Sequence, residues 1–149
     1  MLIHTNGAVF PGLYLLTLGN SVHYLLEGEH GCVLFDPGLS VHITPLLTRL
    51  AQIEFDSAEI KEVFLTHLHP ERVGGLPRLR QFCPHITVYG SAAMKAKLKD
   101  EGFKREIYEQ DRFLSGQYPE APSFESIPVE DYLKLLSIDK TFPDSQTFA

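Results

Sequence analysis

Short apolar runs broken at close intervals dominate the first 36 residues. LYLLTLG, SVHYLLEG and GCVLFDPG are separated by Gly-Asn and by residues 28 to 31, which predicts strands joined by tight turns in an antiparallel meander. Beyond Asp36 the pattern becomes helical. Ile43, Leu46, Leu47, Leu50 and Ile53 recur at helical spacing in VHITPLLTRLAQI, with Ser40 as the cap and Pro45 tolerated in the first turn. EVFLTH reads as a buried strand, and residues 72 to 82 as a helix carrying Val73, Leu76, Leu79 and Phe82 on one face. HITVYG predicts another strand, and Ser91 begins a helix over AAMKAKLKDEG that Gly102 can end.

From Arg105 onward the periodicity weakens. SGQYPEAPSFESIPVED holds three prolines and reads as a loop before a short helix near EDYLKLL, and DKTFPDSQTFA reads as a tail. Strands followed by alternating helices and strands imply a mixed α/β layer rather than an all-β barrel. The expected organisation is a domain over residues 1–104 and a divergent C-terminal extension over 105–149, with a loop and short helix.

Composition narrows the functional classes. The 149 residues suffice for one core, and 44% hydrophobic against 21% charged residues indicates a globular chain. The net charge of −6 comes without a basic stripe, because Asp100, Glu101 and Glu106 interrupt the local excess of lysine and arginine at 95–105. No nucleic-acid partner is expected. No run approaches membrane-spanning length, so no membrane partner is expected either. The start lacks a signal peptide's positive region, and Cys32 and Cys83 lack C-x-x-C spacing, so reduced thiols in a cytoplasm are expected. Cys32, inside an apolar run, reads as core.

Candidate chemistry concentrates in THLHPERVGG, residues 66 to 75. In extended backbone, residues i and i+2 point the same way, so His67 and His69 can present both imidazoles to one ion. Zinc, iron and manganese all accept such nitrogens. Glu71, two positions on, can add a carboxylate, or it can simply be a helix-start residue favoured by the dipole. The two histidines can equally be hydrogen-bonded loop residues. His4, His23, His30 and His42 have no metal spacing and read as surface or strand residues. Gly74 and Gly75 suit close backbone packing, since no Lys-Ser/Thr follows as in a phosphate-binding loop.

VFLTHLHPERVGG resembles the metal-binding motif of the metallo-β-lactamase superfamily, T-H-x-H-x-D-H-x-G-G. Thr66, His67, His69, Gly74 and Gly75 match it position for position. NSVHYLLEGEHGCVLFDPG resembles the family's earlier hairpin, which ends in Asp-x-Gly, here Asp36-Pro37-Gly38. The resemblance covers about residues 12 to 100 and implies layered β-sheet and helices, as a half or shortened αββα sandwich. It also implies metal-dependent hydrolysis of an ester, thioester, amide or phosphoester, in which a divalent cation lowers the pKa of bound water. On that basis the metal ligands are His67, His69 and Glu71. The catalytic carboxylates are Glu71, as ligand or general base, and Asp36 beside the metal loop.

The departures from the motif matter as much. Glu71 stands where the family has aspartate, and Arg72 where it has histidine. No histidine follows His85, and FESIPVED offers only Glu125, Glu130 and Asp131 where a third histidine is expected. The fixed charge of Arg72 opposes a second cation about 4 Å away by several kcal/mol per unit charge, and its guanidinium is expected to pair with Asp36 or Glu71. The expected cofactor is zinc, or else iron or manganese, at most one weakly held ion per chain. Three readings follow: a metal-dependent hydrolase of a small ester or thioester with an incomplete site, a non-catalytic relative acting in binding or assembly, and an iron-binding redox or sensor protein. Because half a sandwich leaves one sheet face uncovered, a homodimer or a partner completing it is expected.

Overall fold

Seven strands form one sheet in the order in which they occur along the chain. The computed structural model describes residues 7–18, 21–118 and 127–143. β1 (Gly7–Phe10), β2 (Leu13–Leu18), β3 (Ser21–Gly28) and β4 (Gly31–Phe35) run antiparallel as the meander read from the sequence, which began at Leu13 and missed β1. β5 (Ile60–Phe64), β6 (Thr87–Gly90) and β7 (Lys140–Thr141) then add in parallel. Parallel neighbours require crossover connections, and helices supply them. α1 (Ser40–Gln52) links β4 to β5, while α2 (Pro70–Val73) and α3 (Leu76–Phe82) link β5 to β6. α4 (Ala92–Lys97), α5 (Glu101–Ser115) and α6 (Val129–Leu135) lie between β6 and β7.

One face of the sheet meets these helices. Leu16, Leu25, Leu34, Val63 and Val88 share a fully buried cluster with Ile43, Leu46, Leu76, Leu79, Ile107 and Tyr132, and Cys32 belongs to it as expected. The opposite face carries the cross-strand row Tyr24, Phe35, Phe64 and Tyr89. It is incompletely covered, with Val22, Tyr24 and Leu26 of β3 each more than a third exposed. No helix among the described residues is long and apolar enough to cross a membrane.

Several elements differ from the sequence reading. Residues 72 to 82 are two helices that break at Gly74-Gly75, and Phe82 is 47% exposed while Val73, Leu76 and Leu79 are fully buried. The helix after Ser91 stops at Lys97, and Asp100 caps a new helix, α5, so Gly102 lies in its first turn rather than ending the previous one. This fifteen-residue helix crosses the expected boundary at 104/105. Part of the expected tail joins the sheet as β7, where Phe142 packs against Phe64 and Tyr89. Glu125 and the rest of residues 119–126 in the proline-rich loop lie outside the described residues.

Candidate metal centre

The site forms because β4 and β5 are adjacent and parallel, with Phe35 opposite Phe64. Their C-terminal ends therefore place the Asp36 and Thr66 loops side by side, the position where open parallel sheets gather ligands. Asp36 turns the chain at φ 50°, a left-handed conformation that aspartate tolerates better than most residues. Its carboxylate then faces β5. Oδ1 accepts the Thr66 backbone N–H at 2.8 Å, and Oδ2 accepts the Thr66 hydroxyl at 2.6 Å.

A hydroxyl has one hydrogen, and here it goes to the carboxylate. Thr66 Oγ1 lies 2.8 Å from His67 Nδ1, so it must accept a proton from that nitrogen. His67 is thereby held as the Nδ1–H tautomer with its Nε2 lone pair free for a metal ion or a proton. The His69 ring stands edge-on to it, with centroids 4.6 Å apart. Two imidazoles sharing one ion through bonds of about 2 Å would have centroids roughly 5 Å apart. The pair expected from the i, i+2 spacing is thus brought together.

The rest of the expected set is not assembled. Glu71 is exposed on the first turn of α2, as a helix-start carboxylate is. Among the described residues no three His, Cys, Asp or Glu side chains are grouped to hold an ion. Glu130 pairs with Arg105, and His85 donates from Nε2 to the Ile60 carbonyl. Two histidines are half of a tetrahedral shell, so the described residues do not by themselves fit a tightly held metal.

Arg72 also departs from expectation. Among the described residues the ion pairs are Arg80 with Asp139 and Arg105 with Glu130, and Arg72 joins neither Asp36 nor Glu71. The reason is local: both Asp36 oxygens are already engaged by Thr66, and Glu71 points to solvent. Arg72 instead lines a cavity of about 460 Å³ together with Asp36, Thr66 and His67. The remaining wall is Leu13, Val22, Tyr24 and Phe35.

Backbone contacts fix the two loops to each other. Gly38 N donates to Arg72 O at 3.1 Å, and Gly75 N to Gly38 O at 2.6 Å. A Cβ on Gly75 would lie 2.7 Å from Leu39 O, and one on Gly74 would lie 2.6 Å from both Asp111 Oδ1 and Pro70 O. The glycines are needed for close packing, as their sequence context suggested.

Sequence reasoning missed the polar cluster behind these glycines. Leu39, not Ser40, holds the N-cap position of α1 without a side-chain cap, and Ser40 N donates to Asp111 Oδ1 at 2.9 Å while its hydroxyl lies 2.6 Å from Oδ2. Val41 N donates to Ser115 Oγ at 3.4 Å, so α5 supplies the caps of α1. Burial pushes the Asp111 carboxyl up to about 6, against the lowering effect of its hydrogen bonds from Ser40 and Ser115. Tyr132 completes the cluster by donating to Gly74 O at 2.8 Å.

Two histidines read as surface or strand residues are buried beneath the site. His23 lies on β3 as a strand residue but is 1% exposed, held between Ser21 Oγ and the Asp36 carbonyl. His42, in α1, is 5% exposed, and burial followed by the neighbouring His23 pushes its pKa down to about 4.

Comparisons with known proteins bear on the family and the fold. The family model described as "Metallo-beta-lactamase superfamily" matches residues 16–142. The hydroxyacylglutathione hydrolase of Klebsiella pneumoniae is 32% identical over 93 residues, covering 62% of this chain and 33% of the relative. That of Salmonella gallinarum is 37% identical over 78 residues, covering 52% of this chain and 29% of the relative. The chain thus spans about a third of these relatives' length. A solved structure of a Cronobacter sakazakii metallo-beta-lactamase, a mutant of its HARLDQ motif, superposes with a TM-score of 0.66 at 22% identity, covering 97% of this chain and 49% of that one.

Proposed function

The chain belongs to the metallo-beta-lactamase superfamily, and from that premise we propose that it is the histidine-bearing half of a metal-dependent hydrolase acting on thioester or ester bonds of small molecules. One observation supports this reading above the others. Asp36, through Thr66, holds His67 in the tautomer that leaves Nε2 free, with His69 beside it. Orienting hydrogen bonds of this kind typically accompany metal-binding imidazoles. The names of the relatives favour a thioester as the substrate class.

Half a shell implies that the other donors come from elsewhere, either a second copy, another protein or further chain. Zinc is the expected ion, with iron and manganese as alternatives, at most one per chain. Glu71 is the carboxylate assigned to the completed site as ligand or general base. Asp36 orients His67 and does not itself meet substrate. The exposed side chains of β3 are the surface on which a homodimer or partner would close the sandwich.

Arg72 favours a second reading, non-catalytic binding, because a guanidinium lining the cavity beside His67 disfavours a nearby cation. Assay of an S-acyl thioester with each of the three metals separates the two. Slow turnover that disappears in His67→Ala is expected of the hydrolase. Turnover unchanged in that variant contradicts it, and a folded protein inert with every metal supports binding alone.

A further inference from the structure

The cavity walled by Leu13, Val22, Tyr24 and Phe35 also has the charged side chain of Arg72 in its lining. Its volume of about 460 Å³ falls within the range of small-molecule sites. Such sites typically combine an apolar wall with a few placed polar groups. Arg72 is partly buried yet has no acidic partner within ion-pair distance among the described residues. Asp36, the acid in the same lining, has both oxygens engaged by Thr66. Among the described residues the guanidinium is therefore a planar donor set without a carboxylate partner, in the lining of an apolar and aromatic wall.

We propose that this cavity binds a small carboxylate bearing an apolar body, with Arg72 as its anion contact and the Tyr24–Phe35 wall receiving the body. Guanidinium and carboxylate match in geometry and form short, charge-assisted hydrogen bonds. The wall selects for the rest of the ligand. Tyr24 and Phe35 are cross-strand partners, so their side chains lie on the same sheet face as one surface. A phosphate would bring more charge than one guanidinium neutralises and nothing to place against that surface. The cavity shares Asp36, Thr66 and His67 with the candidate metal centre, and because binding is tested without metal, its failure is distinguishable from failure of the hydrolase reading.

The test uses chelator-treated protein and four probes, hexanoate, hexan-1-ol, acetate and inorganic phosphate, with binding followed by chemical-shift changes in NMR spectra. Hexanoate is expected to bind saturably, about tenfold or more tighter than either hexan-1-ol or acetate. Arg72→Gln should weaken hexanoate by a similar factor and leave hexan-1-ol unchanged, whereas Tyr24→Ser should weaken both. If Arg72→Gln does not fold, the wild-type comparison of hexanoate with hexan-1-ol decides. Hexan-1-ol or phosphate binding as well as hexanoate, hexanoate affinity unchanged in folded Arg72→Gln, or no saturable hexanoate binding would each overturn the proposal.

Discussion

Asp36 and Thr66, thirty residues apart in sequence, are joined by two hydrogen bonds, one from the threonine N–H at 2.8 Å and one from its hydroxyl at 2.6 Å. The second bond fixes which nitrogen of His67 carries its proton, so the tautomer of the imidazole follows from β4 and β5 lying side by side.

Thr66→Val keeps the backbone bond and removes the hydroxyl. It leaves an Asp36 oxygen without its partner, at a cost of about 1–3 kcal/mol. It also frees His67 Nδ1, so any metal affinity should fall by roughly 10–100-fold. Thr66→Ser should restore most of both. Thermal melts and metal titration of the two variants check this, and equal behaviour of Thr66→Val and wild type would contradict it.

Gly75→Ala should destabilise the fold although its backbone is ordinary, because the added Cβ would sit 2.7 Å from Leu39 O and 2.9 Å from Gly38 O. Overpacking of this kind costs about 1–3 kcal/mol, and more where backbone must move. Gly102→Ala, with nothing closer than Asp100 Oδ1 at 3.2 Å, provides the contrast. Denaturant unfolding of both variants should show a loss confined largely to position 75.

Asp111 predicts a pH dependence of stability. Its folded pKa, about 6, lies above the ordinary 3.8, so the folded state keeps a proton that the unfolded chain has released. Its contribution is fully present below 3.8 and is lost as pH rises through about 6. The loss is on the order of 2–3 kcal/mol. Asp111→Asn keeps an acceptor for Ser40 N and removes the titration. Urea melts across this window should show wild-type stability falling with pH relative to Asp111→Asn, and parallel profiles would contradict it.

Closure of the sandwich predicts self-association or a partner through β3. At micromolar concentration, sedimentation should show a dimer, or else a protein that binds a hydrophobic dye through the exposed Val22, Tyr24 and Leu26. Leu26→Lys should weaken either behaviour. A compact monomer that binds no dye would contradict the expectation.

Much of this structure was legible because it is local. The meander from Leu13 to Phe35 shows its turns, and the His67–His69 pair follows from the two-residue period of extended chain. α5 was not legible, because its buried stripe runs Ile107, Asp111, Ser115 and two of the three are polar. Their burial depends on α1, about 70 residues earlier, whose free N–H groups they cap. Arg72 misled for a related reason. Its expected carboxylate, Asp36, is already engaged by Thr66, and that competition is visible only once β4 and β5 are side by side.

Calorimetric titration of zinc, iron and manganese into chelator-treated protein tests the half-site most directly. One weakly bound ion per chain is expected, lost in both His67→Ala and His69→Ala and retained in His85→Ala, whose imidazole is engaged at Ile60 O. Two tightly bound ions per chain, or binding that persists in His67→Ala, would contradict it.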